Sequence, residues 1–237
     1  MDALPLLLIP VGIALVIVVA VLGYRAEQKR RAMLAAFALS NGWTYVAYDE
    51  SWCDRFTGSP FGEGDNRKAG NVLQGRHGDY DMVAFEYSYQ THSTDSKGRR
   101  STTTHRYAVC AVSLPAPLPG LELAPESMFS RLAGHLGFSD VELESEDFNR
   151  RYRVTAGDPK FAYDVLHPRT MQALLSRPPL HMRLLYLDAL CWEDGRLNPV
   201  DLLARLSTLE LLVAGIPSYV WSDRAPSAEH PPGGAPA

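Results

Sequence analysis

The chain is poor in the features that usually assign chemistry. It has three cysteines in 237 residues, too few and too odd in number for a disulfide framework. Its net charge of -4 and pI near 6.0 lack the basic excess expected of a nucleic-acid binder. There is no GxxxxGK[ST] phosphate loop, and Gly62-Glu63-Gly64 lacks the third glycine of a dinucleotide fingerprint. HExxH, CxxC, GxSxG and kinase signatures are missing as well, and so is any Asn-x-Ser/Thr sequon. These absences leave no catalytic, cofactor-binding or metal-ligating residue to assign from sequence.

Charge is missing altogether between Ala3 and Tyr24. As a helix, such a run spans roughly 33 Å, enough for a hydrocarbon core of about 30 Å. A cleaved signal peptide would need a positive leader and a shorter apolar core, whereas Met1-Asp2 carries an acid. Residues 1–24 are therefore expected to form a transmembrane anchor. Pro10 would kink it, which lipid-embedded helices tolerate. Arg25, Lys29, Arg30 and Arg31 follow at once, and no Lys or Arg precedes the run. The positive-inside rule then puts the N-terminus outside and the main domain in the cytoplasm, with those four cations at anionic lipid headgroups.

Residues 25–42 read as a basic juxtamembrane helix ending at Asn41-Gly42. Residues 43–216 read as one α+β domain with a largely antiparallel sheet, because the strands come in hairpin-like runs rather than βαβ alternation. Val83, Phe85, Tyr87 and Tyr89 share one face of a strand over 80–91. A further strand over 104–114, apolar on both faces, is central. The run Leu114-Pro-Ala-Pro-Leu-Pro-Gly120 is expected to end it, since proline cannot donate to a ladder. A helix is expected over 126–136. Asp158-Pro159 and Asn198-Pro199 are helix starts, the second followed by Leu202, Leu206, Leu209 and Val213 on one face. Residues 217–237 hold five prolines and read as a disordered tail.

Four clusters invite a chemical reading beside a plain one. His92 and His105 would face each other across a hairpin and bind a metal, but zinc wants three or four ligands and no third is evident. The polar hairpin tip at 92–104 places Arg99 and Arg100 before Ser101, as a docking or phosphorylation loop would, or is simply solvated. Asp140, Glu142, Glu144, Glu146 and Asp147 would hold a divalent cation, though the spacing matches no EF-hand loop, or line a solvated face in alternation with Val141 and Leu143, with Arg150, Arg151 and Arg153 ready to pair with them. Cys110 falls mid-strand, as a small buried hydrophobe would, while Cys53 beside Trp52 is expected to be more exposed.

The order of these segments carries a resemblance. A span, a basic helix, Asn-Gly-Trp-Thr-Tyr at 41–45 and a hairpin-rich middle come first. Asp-Phe-Asn-Arg-Arg-Tyr-Arg-Val at 147–154 and Asp-Val-Leu-His-Pro-Arg-Thr-Met-Gln-Ala-Leu-Leu at 164–175 follow, then a final helix. This resembles uncharacterised, single-pass membrane-anchored bacterial proteins carrying a domain of unknown function. The resemblance implies a membrane anchor and no catalytic residues. The expected role is a binding or scaffolding module with a protein partner. The alternatives are a membrane-tethered, hydrolase-like enzyme whose site is assembled from scattered residues, and an extracytoplasmic envelope module.

Overall fold

A computed structural model of the chain describes residues 4–126 and 138–222, with side chains described from Ile13 onward. The first element is a long helix, α1 (Leu4–Ser40). It runs unbroken through the run of Ala, Leu, Arg and Gln that follows Tyr24. It stops at Gly42, whose φ of +71° reverses the chain at little steric cost. The amide of Trp43 returns to the Ala38 carbonyl at 2.8 Å.

The sheet has seven strands: β1 (Thr44–Tyr48), β2 (Asp65–His77), β3 (Tyr80–Thr94), β4 (Arg100–Pro125), β5 (Ser139–Val141), β6 (Tyr152–Ala156) and β7 (His181–Asp194). Every pairing is antiparallel, in the order β1-β2-β3-β4-β6-β5, with β7 on β4. The short helices α2 (Glu146–Arg151), α3 (Pro159–Val165) and α4 (Pro168–Leu175) precede β7, and α5 (Pro199–Ala214) and α6 (Ser218–Ser222) follow it. The fold is the expected α+β class with an antiparallel sheet and packed helices.

Alternation sorts each strand onto two cores. Met82, Ala84, Cys110 and Val112 face one side, where Leu34 and Ala38 of α1 and Leu202, Leu206 and Leu209 of α5 are fully buried. Val83, Phe85, Tyr87 and Tyr89 face the other, beneath the segment 49–64, which drives Phe56 and Phe61 onto the sheet. The α5 start is as expected: Asn198 caps it through Oδ1, which accepts from the Val200 amide at 3.1 Å, and Pro199 takes the first position. Trp43 ties the end of α1 to β2 by donating from Nε1 to the Arg76 carbonyl at 2.8 Å. Its ring lies directly over Gly75, where a Cβ would overlap it.

One expectation is not shown and several need correction. Among the described residues, no helix is long and apolar enough to cross a membrane. The part of the anchor expected at 3–24 whose side chains are described, from Ile13 to Tyr24, covers only about 18 Å of helix, against a hydrocarbon core of about 30 Å. The prolines at 115, 117 and 119 do not end a strand: β4 runs through them. Here β3 has stopped pairing at Val112 and β6 has not begun until Leu121, so the missing N–H groups fall where that side of the strand has no neighbour. Leu114, Ala116 and Leu118 point inward between them. Residues 218–222, expected to belong to a disordered tail, form α6, which buries Val220; the rest of that expected tail, from 223, lies outside the described residues. The expected hairpin tip is a regular ribbon to Thr94 and from Arg100, closed by a turn in which Asp95 accepts from the amides of Lys97 and Arg99. The helix expected over 126–136 lies, beyond residue 126, outside the described residues.

Candidate functional site

A cleft of about 470 Å³ lies where α1 crosses the sheet. Its helical wall is Gly23, Ala26, Glu27, Arg30 and Arg31. These recur at helical spacing, so one stripe of α1 faces the cleft. Its floor comes from three adjacent strands in two rows. Lys68 pairs with Ser88, and Ser88 with Arg106. One row inward, Gly70 pairs with Glu86, and Glu86 with Ala108.

Glu86 organises this site. It is an acid at an inward position of β3, next but one to the buried Ala84, so its charge must be matched. Arg30 donates Nη1 to Oε1 at 2.5 Å and Nη2 to Oε2 at 3.0 Å, a two-pronged guanidinium–carboxylate pair. The Leu197 amide donates to Oε1 at 2.9 Å and Asn71 Nδ2 donates to Oε2 at 3.0 Å. Asn71 in turn accepts from the Tyr45 hydroxyl at 2.8 Å. Asn71 adopts φ of +50° at an irregularity in the β2–β3 register, a conformation asparagine tolerates better than most side chains.

Glu27 is the second hub. It accepts from Arg30 at 3.2 Å, Arg31 at 3.2 Å and Arg196 at 2.7 Å. The hydrogen bond from Arg30 does most to hold its carboxyl down to about pKa 2; burial opposes this and the other two guanidinium groups add to it. Arg31 also donates to the Tyr48 hydroxyl at 2.7 Å and lies over that ring. Both carboxylates of the cleft are thus committed to guanidinium groups. Lys68 and Arg106, both exposed, have no carboxylate partner among the described residues.

This geometry revises the expected partners of the basic helix. Arg30 and Arg31 are half-buried and internally paired, while Arg25 and Lys29 are exposed. The cleft residues Glu27, Lys68, Asn71, Glu86, Arg106 and Arg196 carry no sequence motif. A partial signal existed: Glu27 sits three and four residues before Arg30 and Arg31, an ion-pair spacing, and Glu86 interrupts an apolar strand.

The other sequence clusters resolve into structural contacts. His92 lies opposite Thr102 and His105 opposite Tyr89, so the two imidazoles do not face each other. Among the described residues no group of three or more His, Cys, Asp or Glu could hold a metal ion. Ser101 is exposed on β4 opposite Ser93, away from the cleft. Arg153 pairs with Asp140 across β5 and β6, and Arg150 with Asp147 along α2. Cys110 is fully buried opposite Cys191 on β7, and Cys53, expected to be more exposed, is buried as well. Burial is the main cause raising the Cys53 thiol pKa.

A second charged centre is internal. Arg183, only 1% exposed, donates to Glu122 at 3.0 Å and to the carbonyls of Thr57 at 2.6 Å and Ser59 at 2.9 Å. Its guanidinium lies 4.7 Å from the Trp192 ring centroid, and His181 stacks on the same indole at 4.9 Å. Burial, reinforced by the Arg183 charge, pushes His181 down to about pKa 4. This cluster pins the 56–61 segment over the second core, and beside it Arg55, Phe56, Thr57, Arg183 and Asp188 line a smaller cavity of about 170 Å³.

No protein-family model matches the chain, and no curated protein sequence matches it. A solved structure does share the fold: the mycobacterial trehalose monomycolate transport factor A, at 14% sequence identity and a TM-score of 0.59. The match covers 79% of this chain and 96% of that one. At that identity the likeness is one of fold: an antiparallel α+β domain with packed helices.

Proposed function

We propose that this protein is a membrane-associated binding module of a bacterial cell. The N-terminal part of α1 holds the domain at the lipid surface, and the cleft beside α1 is the binding site. The observation that carries this reading is the state of α1 between Ile13 and Tyr24. Its apolar side chains are exposed on every side, with Val16 68% and Val19 62% accessible. A helix apolar all round suits a lipid environment, not a water-facing arm. Within about four turns of Tyr24 the same helix is locked to the sheet by the Arg30–Glu86 pair and by buried Leu34 and Ala38.

Binding is favoured over catalysis because Glu27 and Glu86, the two acids of the cleft, are saturated by guanidinium groups and neither is left as a general base. The solved structure that shares the fold is named a trehalose monomycolate transport factor, which supports a lipid-associated role. The resemblance to single-pass anchored bacterial proteins points the same way. The full uncharged run from Ala3 to Tyr24 would act as the single-pass anchor, with the N-terminus outside and the domain cytoplasmic, as the following cations favour.

The test is the location of the full chain in cells. The expected result is recovery in the membrane fraction after alkaline carbonate, with a C-terminal reporter protected from external protease. Val16→Asp with Val19→Asp should release the protein. Recovery of the unaltered chain in the soluble fraction would overturn the proposal, and digestion of the reporter from outside would reverse the orientation.

A further inference from the structure

We propose that the cleft binds the phosphate-bearing headgroup of an anionic phospholipid, held by Lys68, Ser88 and Arg106. This deepens the membrane-associated reading above and rests on it. The argument starts from charge. Five cations line the cleft against two carboxylates: Arg30, Arg31, Lys68, Arg106 and Arg196 against Glu27 and Glu86. Arg30 satisfies Glu86, while Glu27 takes Arg30, Arg31 and Arg196 together. The excess positive charge is concentrated at Lys68 and Arg106.

Geometry narrows the ligand. Lys68, Ser88 and Arg106 are register neighbours on three consecutive strands, so an ammonium, a hydroxyl and a guanidinium stand side by side. At roughly 4.8 Å per strand the row spans about 10 Å, the reach of a phosphodiester with its attached glycerol. Guanidinium groups pair with phosphate through two parallel hydrogen bonds, and an ammonium adds a point charge. A volume of about 470 Å³ lies within the range of small-molecule sites.

The helical wall says where the rest of the ligand goes. Gly23 and Ala26 are the smallest side chains on that wall, and the space beside Gly23 is open. Continuing the same stripe towards the N-terminus, by steps of four and three residues, reaches Val19 and Val16, both exposed. A headgroup on the Lys68–Arg106 row would thus have an apolar track leading from it along α1. A free phosphate or a soluble phosphate ester would use the row but not the track.

The experiment uses the full chain reconstituted in phosphatidylcholine nanodiscs doped with a photoactivatable phosphatidylglycerol. Incorporation into undoped nanodiscs is measured first. If the chain does not incorporate, the membrane reading itself fails, and the cleft assignment falls with it. Given incorporation, irradiation should label peptides containing Gly23 and Lys68, at least about tenfold more than with a photoactivatable phosphatidylcholine. Lys68→Gln with Arg106→Gln should reduce labelling by about tenfold, the effect of losing a charge-assisted contact. Both side chains are exposed, so folding should persist, as an unchanged melting temperature would verify. Arg25→Gln with Lys29→Gln should leave the labelling pattern in place. Equal loss in that control would mean diffuse surface attraction and overturn the proposal. So would no loss in the Lys68/Arg106 variant, or abolition of labelling by millimolar inorganic phosphate, which would assign the row to a free anion.

Discussion

Arg30 on the helix and Glu86 on the third strand meet through two parallel hydrogen bonds, at 2.5 and 3.0 Å, across 56 positions of sequence. The pair joins the element read as membrane-bound to the middle of the sheet. Replacing Glu86 by Gln should therefore loosen the helix from the domain more than it perturbs the sheet. We expect a loss of about 2 kcal/mol, below the 3–5 kcal/mol of a fully buried pair, because both side chains keep some exposure. Hydrogen exchange of the full chain should speed up over residues 26–40 and stay unchanged over β4; uniform acceleration would contradict this.

Glu27 predicts an acid-sensitive version of the same junction. Its folded pKa, about 2, lies below the ordinary 4.5, so its stabilising contribution is complete above about pH 4.5. The contribution should be lost as pH falls from there through 2. Glu27→Gln should flatten that part of a pH–melting curve; an unchanged slope would show that the carboxylate is not a tie.

His181 titrates in a different window. Its folded pKa of about 4 is below the free value of 6.5, so between those values the unfolded chain binds a proton that the native one does not. Stability should fall as pH drops from 6.5 to 4, by up to about 3 kcal/mol. His181→Phe should remove most of this dependence, readable in urea unfolding at pH 7 and pH 5.

Removing Arg183 should be severe. Arg183→Met strands the buried Glu122 carboxylate, whose pKa burial already raises, and leaves the carbonyls of Thr57, Gly58 and Ser59 without their donor. The expected cost is about 3–5 kcal/mol. Combining it with Glu122→Gln should recover part of that, and a double-mutant cycle in urea measures the coupling; additive losses would refute it.

Gly75→Ala tests the Trp43 contact. A methyl group there overlaps the indole, which is held in place by its bond to the Arg76 carbonyl. A loss of about 1–3 kcal/mol is expected, with a shift in Trp43 fluorescence.

Much of the fold was legible in the sequence because it is written in local periodicity. The two-residue alternation of Val83, Phe85, Tyr87 and Tyr89 predicted a shared face, and all four are buried in one core. The Asp158-Pro159 and Asn198-Pro199 starts were readable because capping involves only adjacent residues. The prolines of β4 misled because a proline's cost depends on whether its amide side has a neighbour, which is a property of the whole sheet. The cleft was illegible for the same reason: Lys68, Ser88 and Arg106 become neighbours only through strand register. Arg30 and Arg31 looked like free headgroup ligands until their partners, on the sheet and at Tyr48, came into view.

The 26-residue strand β4 bears on how this domain can be made and cut. One stretch of chain pairs with β3, with β6 and with β7, the last between residues as distant as Tyr107 and Asp194. Such pairings close large loops before they are rewarded, so the domain should fold slowly for its size. They also mean that the strands on either side of β4 depend on it to complete their pairing. A truncation that stops before residue 194 would leave β4 with an open edge and invite aggregation. During synthesis the nascent chain must wait, with its apolar helix already emerged, until β7 arrives to close the sheet.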